Sequence, residues 1–346
     1  MPKQCNLQSK SALVDSKSPS IDFTVAICTY NGEHRLPEVL DILKKQIQIE
    51  ALRWEIIVVD NNSRDHTAQV VRNYQADWPA AFPIHYLFES KQGAAFARNL
   101  AVRNARSPLV GFLDDDNLPA VNWIAAAYAF GKEHPNVGAY GSQIHGQFET
   151  RPPENFHRIE SFFAITQRGT EPHRYEPWLK VLPPSAGLVV RRSVWLKNVP
   201  ENCLLTGRFD HFMLTGEDLE ALSHIQLTDW EIWHNPAMQV HHKIPSWRLD
   251  PQYLIPFFRG VGLGRHVTRM LSVKPWQRPF IFPIYMANDI RKLIVHLIRY
   301  RNACKTDLVA RCEMQLFLCS LVSPFYIWGK IWRKGRLEKR HSTPQL

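Results

Sequence analysis

The 346-residue chain is 45% apolar, which supports a real core and excludes global disorder. Its length suits one large α/β domain with an appendage, or two modest domains. The net charge of +10 is uneven: residues 259–346 hold 17 Lys/Arg against 4 Asp/Glu, leaving the rest near −3. A basic tail beside a balanced body asks for an anionic surface, and on charge alone nucleic acid and acidic lipid both qualify. The six cysteines, at 5, 28, 203, 304, 312 and 319, form no C-x-x-C pair and read as reduced thiols.

Residues 1–21 are polar, rich in Ser and Lys, and read as a disordered leader. They lack the apolar stretch of a secretion signal, so a cytosolic chain is expected. Strand and helix patterns then alternate. Phe23–Cys28 reads as a strand and Leu36–Gln46 as a helix. Trp54–Asp60 is a continuous apolar run ending in Asp, the pattern of a strand buried on both faces. Thr67–Tyr74 reads as helix, Ile84–Glu89 as strand and Gly93–Ala105 as helix. Leu109–Leu113 is a second buried strand, followed by Asp114-Asp115-Asp116-Asn117; Asn122–Glu133 is helical and Val137–Gln143 a strand. Repeated βα units predict a mostly parallel sheet with helices on both faces, and ligands then bind beyond the carboxyl ends of its strands. The Pro-rich segment 146–185 reads as an irregular lid or binding loop. Ala186–Arg191 returns as a strand, Gly216–Ile225 as a helix, and Trp230–Trp233 and Met238–His242 as short strands. After Asp250 the chain is helical, aromatic and basic.

The strand ends carry the candidate chemistry. Three adjacent carboxylates repel one another, and no base lies near them in sequence, so a divalent cation is expected among them. Hard oxygen ligands suit Mg²⁺ or Mn²⁺. On an extended chain Asp114 and Asp116 share a face while Asp115 turns aside. An ordinary polar turn before Asn117-Leu118-Pro119 explains the same residues. Asp60 suits either a base or ribose contact, or the opening of the Asn61-Asn62-Ser63 turn. Glu217-Asp218 suits either a general base or an ordinary acidic first helical turn. His241 or His242 could reach the metal. Gly93 permits close backbone approach to a ligand, and Arg98 suits a phosphate or a structural carboxylate. Neither the G-x-G-x-x-G nor the P-loop fingerprint occurs.

These motifs together resemble glycosyltransferase family 2. They are Ala26-Ile27-Cys28-Thr29-Tyr30-Asn31, Val58-Val59-Asp60-Asn61-Asn62-Ser63-Arg64-Asp65, Gly93 to Asn99, and Phe112-Leu113-Asp114-Asp115-Asp116. With Gly216-Glu217-Asp218 and Val240-His241-His242 the chain is similar to bacterial polysaccharide-assembly members, including the hormogonium-polysaccharide type. The resemblance covers residues 22–245 and implies a GT-A fold there, with 246–346 as a helical, basic, amphipathic region. It implies that Thr29, Tyr30, Asn31, Asp60, Asn62, Gly93, Arg98, Asp114 and Asp115 line a nucleotide-sugar site. Tyr30 would stack on the base and Asp60 would hydrogen-bond it. Asp116, with Asp114 and His241 or His242, would hold Mn²⁺ or Mg²⁺. Asp218 would be the catalytic base beside Glu217, and the anomeric centre would invert. Asn117 departs from the pattern, since many relatives carry a further Asp there.

The expected donor is a nucleotide-diphosphate sugar, a UDP-sugar first, and the expected acceptor a glycan or lipid-linked glycan. Met314–Trp332 is almost wholly apolar but interrupted by Pro324, with Lys330, Arg333, Lys334 and Arg336 at its end; 280–299 is also apolar but contains Asp289, Arg291 and Lys292. Helices lying on or dipping into the acidic cytoplasmic face of a membrane account for this pattern, and no nucleic acid is then needed. A helical cap over the catalytic core is the plainer account. The reading opposed to an enzyme is a basic membrane- or nucleic-acid-binding protein on a degenerate α/β core. A nucleotidyltransferase on a similar sheet is the third.

Overall fold

The computed structural model describes residues 21–207, 213–301 and 306–341, with side chains up to Arg333; most of the expected leader, residues 1–20, lies outside them. The first half alternates β1 (Phe23–Thr29), α1 (Leu36–Leu43), β2 (Trp54–Asp60), α2 (Thr67–Ala76), β3 (Ile84–Phe88), α3 (Ala94–Asn104) and β4 (Leu109–Asp114). These four strands pair in parallel, in the order β3-β2-β1-β4. The cause is visible in β2, all seven of whose residues are buried. Only a strand covered on both faces places such a run, at about 1.5–3 kcal/mol for each large apolar side chain. The one acid within it, Glu55, is held by Thr24 and by Arg106. Register sets Thr29 opposite Asp60 and Cys28 opposite Asp114, so the polar strand ends lie level on one rim.

The second half is mixed. It comprises β5 (Asn117–Pro119), α4 (Trp123–Glu133), β6 (Val137–Phe148), β7 (His173–Arg174), β8 (Val189–Arg191), α5 (Arg192–Asn198), α6 (Glu217–Gln226) and β9 (Glu231–Ile244). The sheet continues β4-β8-β6-β9-β5, with β8 antiparallel to β4 and β6, β6 parallel to β9, and β5 and β7 antiparallel to β9. The two short strands expected around Trp230 and His242 are one strand, β9, with a register irregularity opposite Ser142/Gln143. The segment 146–185 is less free than its prolines suggested. Phe156, Ile159 and Phe163 are buried, packed with Leu254, Phe258 and Leu316.

Three helices follow: α7 (Pro251–Leu271), α8 (Arg278–Tyr300) and α9 (Leu308–His341). Helices α7 and α9 pack closely: a side chain on Gly262 of α7 would strike Cys319 and the Leu316 carbonyl of α9. Among the described residues α9 is the one helix long and apolar enough to cross a membrane, yet 44% of that stretch is buried in the protein. That packing favours a core helix over a span. The described cysteines are free, and burial pushes the thiols of Cys28, Cys203 and Cys312 up to about 12, as inert reduced thiols require.

Candidate active site

The first rim loops are wired internally. Asp60 accepts from the Ser63 amide at 2.8 Å and from the Tyr86 hydroxyl at 2.8 Å, so it both opens the turn and ties it to β3. Asn31 and Asn62 adopt left-handed backbone conformations, φ 51° and 63°, which Asn tolerates. Asn31 joins the two loops, donating its amide to Ser63 Oγ and accepting from the Arg64 amide. Asn61 was not singled out in sequence, yet its side chain holds the third loop, binding the Glu89 and Lys91 carbonyls and the Gly93 amide. Tyr30 is half-buried beside this cluster. Gly93 has φ 135°, but the group it lets in is the chain itself: a Cβ there would lie 2.5 Å from the Thr206 carbonyl oxygen.

The aspartate cluster is neutralised by three arginines distant in sequence. Arg35 grips Asp115 with two hydrogen bonds of 2.9 Å, and Thr29 adds a third at 2.6 Å. Asp115 therefore turns aside, buried, with both oxygens engaged by the protein's own donors. Arg98 binds Asp114 at 3.3 Å. Arg248, from the turn after β9, binds Asp116 at 3.0 Å. The bases that meet this charge thus stand outside the cluster's own stretch of sequence, 16 residues away for Arg98 and 80 for Arg35. Asn117 clamps the cluster, accepting from the Asp114 amide and donating to Asp116 Oδ1, which an Asp in its place could not do.

Of the two histidines, His242 faces the cluster and His241 does not. Neighbours on a strand point to opposite faces, so His241 is exposed and stacks near His145, while His242 is buried opposite Asn117. His242 Nδ1 lies 2.8 Å from the Phe163 carbonyl, which can only accept, so the proton is on Nδ1; Nε2 accepts from Arg248 Nη1 at 3.0 Å, with Asp116 Oδ2 3.6 Å away. An imidazole held in this way by a backbone carbonyl, beside a carboxylate, is a fitting donor pair for a divalent cation that takes its other ligands from phosphate and water. Two reservations of geometry follow from the same side chains. The Arg248 guanidinium spans both donors, at 3.0 Å from each. Among the described residues no group of three His, Cys, Asp or Glu side chains is gathered to hold a metal, and Asp114 is engaged with Arg98 instead.

The acidic pair joins this rim from the far side. Gly216 caps α6 in the left-handed region, φ 104°, and sends Glu217 and Asp218 back toward the strand ends. Arg98, 4% exposed, binds Glu217 at 3.1 Å, Asp114 at 3.3 Å and Ser185 Oγ at 2.7 Å. Burial opposes its charge, but Asp114 and Glu217 outweigh that and hold the guanidinium further above its ordinary range. Asp218 forms no salt bridge with an arginine among the described residues; it accepts from the Ser185 amide at 3.2 Å and the Leu219 amide at 2.8 Å. Burial first, and the Glu217 charge second, push its carboxyl up to about 6. Sequence reading missed Arg35, Ser185 and Arg248, because single basic or hydroxyl residues in loops carry no periodic signal.

Residues 24–195 match the model of the family described as Glycosyl transferase family 2. The chain is 37% identical over 102 residues to the uncharacterized glycosyltransferase YfnE of Bacillus subtilis, covering 30% of this chain and 25% of YfnE. It is 32% identical over 112 residues to the poly(ribitol-phosphate) beta-N-acetylglucosaminyltransferase TarS of Staphylococcus aureus, covering 32% of this chain and 19% of TarS. The aligned part is thus at most a quarter of either relative. In fold, the chain is similar to the mannosyltransferase PcManGT of Pyrobaculum calidifontis, solved with GDP-Man and Mn²⁺: TM-score 0.55, 18% identity, 90% of this chain and 89% of that one. The S. aureus TarS fragment 1–349 solved with UDP-GlcNAc gives TM-score 0.51 at 17% identity, covering 89% and 92%. The fold is GT-A, and with its motifs in order on that frame the chain belongs to glycosyltransferase family 2.

Proposed function

We propose that the protein transfers a sugar from a nucleotide diphosphate, a UDP-sugar first, to a hydroxyl of a glycan or lipid-linked glycan, with inversion. The reading places the enzyme peripherally on the cytoplasmic face of a membrane. One observation carries it: buried Arg98 ties Asp114, at the donor rim, to Glu217, whose neighbour Asp218 is held by two backbone amides. Donor and acceptor sides are thereby locked in one frame. Asp218, poised near 6, is largely ionised at neutral pH yet basic enough to take a hydroxyl proton. The acceptor oxygen attacks the anomeric carbon, the bond to the diphosphate breaks, and the nucleoside diphosphate departs from the opposite face. A single displacement of this kind inverts configuration without an enzyme nucleophile. A divalent metal held by Asp116 and His242 would neutralise charge on the departing diphosphate. Arg248, whose Nε is buried with no hydrogen-bond partner, is placed to donate to phosphate oxygens there.

The test is a donor screen that measures acceptor-dependent release of nucleoside diphosphate, with the product's anomeric configuration read by NMR. A retained configuration rules out the single displacement. Release of pyrophosphate instead rules out sugar transfer.

A further inference from the structure

Helix α8 is built inside out. Of its 23 residues the two that are fully buried are both polar, Asp289 and His296. Asp289 is held by Arg269 of α7, and His296 by the Ala310 carbonyl of α9 at 2.9 Å. They lie seven residues apart, on one side of a helix of about 3.6 residues per turn. The opposite side carries Phe280, Ile284, Ala287, Arg291, Ile294 and Ile298, spaced by three and four. Phe280 is 69% exposed, Ile284 61%, Ile294 50% and Ile298 78%. A helix that turns its one acid and its histidine inward and its isoleucines outward is arranged for an apolar surround, not for water. The outer face of α9 continues the surface with Val322, Phe325 and Trp332, and Phe282 meets Trp328 at 5.8 Å where the helices join.

We infer that the outer face of α8, joined by that of α9, lies in the headgroup layer of an anionic membrane, and that the acceptor is presented from that surface. The charge pattern chooses the occupant. Arg291 stands exposed within the apolar stripe, Lys292 and Arg299 border it on one flank, and the helix's one acid is the inward, neutralised Asp289. An apolar stripe rimmed by bases is the pattern of an interfacial helix on acidic lipid. The same helix leads to the catalytic rim. Lys180 hydrogen-bonds Tyr285 of α8, and five residues later the Ser185 amide holds Asp218. Five residues reach at most about 18 Å, so the Lys180 backbone, one side-chain length from its anchor on α8, sits within that distance of the Ser185 amide that holds the base. Trp178 and Leu179, 72% and 63% exposed on the same strap, add to the apolar surface. A sugar linked to a lipid headgroup spans that gap, whereas a buried lipid tail does not. The acceptor class rests on the transferase reading; the membrane face does not.

The experiment uses the full chain in co-sedimentation with phosphatidylcholine vesicles, with and without phosphatidylglycerol. Ile294→Glu/Ile298→Glu and the single Ile298→Glu are compared with Ile47→Glu, an exposed apolar position on the catalytic domain. Nucleoside diphosphate binding by calorimetry and mass by light scattering are read in parallel. The expected result is binding that needs the anionic lipid, reduced by about tenfold or more in the double variant. The single variant should fall partway, Ile47→Glu should bind normally, and nucleotide affinity should be unchanged throughout. Undiminished vesicle binding by the double variant overturns the α8 assignment. A wild-type chain that ignores anionic vesicles overturns the membrane reading itself. A lipid-free dimer that the double variant converts to monomer assigns the face to a second copy and overturns the inference. Failure of the transferase reading registers separately, as absent nucleotide binding.

Discussion

The two halves of the sheet solve the same problem by different means. On the β3-β2-β1-β4 side the polar strand ends are satisfied by near neighbours: Asp60 by Ser63 three residues on, and Asn61 by Lys91 and Gly93 about thirty on. On the β8-β6-β9-β5 side the partners come from much farther away, as with Arg98 and Glu217, 119 residues apart, or His242 and Phe163, 79 apart. Asp114, Asp115 and Asp116 are the seam. Arg35 and Arg98 reach them from the first half, and Arg248 from beyond the last strand. In the proposed site, donor binding would thus rest on a locally specified frame, and the reacting end on a frame that exists only once the whole chain has folded.

If that division is right, substitutions on the assembled side should cost turnover and those on the local side stability. Asp218→Asn is the strongest probe. It should lower turnover by roughly 10²–10⁴-fold while leaving donor affinity nearly intact. In the wild type kcat/KM should fall as pH drops through about 6, because the base gains its proton there. The folded carboxyl holds its proton to higher pH than the unfolded one, so its ionisation weakens the fold as pH rises from about 4 to 6. An unchanged acid limb in the Asp218→Asn variant would assign the titration elsewhere.

Arg98→Met comes next and tests the link between the halves. It leaves Asp114 and Glu217 facing each other without their shared cation. A loss on the order of 3 kcal/mol is expected in denaturant unfolding, below the full cost of a buried pair because Asp114 is partly solvated. A mild effect would mean that the halves are held together by their apolar contacts alone. Gly93→Ala, on the local side, should cost about 1–3 kcal/mol through its φ of 135° and the collision with the Thr206 carbonyl. Donor affinity should change little, since the crowded partner is protein and not ligand.

Arg248→Gln gives the smallest effect. Removing the guanidinium from Asp116 and His242 should tighten Mn²⁺ binding to the nucleotide-free protein a few-fold, measured by electron paramagnetic resonance. Weaker Mn²⁺ binding would show that Arg248 orients the two donors more than it competes for them.

The strands β1, β2 and β4, and the arrival of Asp60 and Asp114 at one rim, were legible in the amino-acid order. A strand buried on both faces must be a continuous apolar run, and a polar residue that ends such a run must leave the sheet where the run stops. Local order also marked Glu217-Asp218 behind its glycine and the apolar, basic character of the C-terminal helices. The choice of His242 over His241 depended on the register of β9 against β5, which an irregularity upstream in β9 resets. The compensation of the aspartates by Arg35, Arg98 and Arg248, the anchoring of Phe156, Ile159 and Phe163 beneath α7 and α9, and the outward turn of α8's isoleucines were decided by the tertiary structure alone. Periodicity states which residues share a face of their own element. Which other element covers that face, and which distant charge meets an unpaired one, depends on contacts between segments that no local pattern encodes.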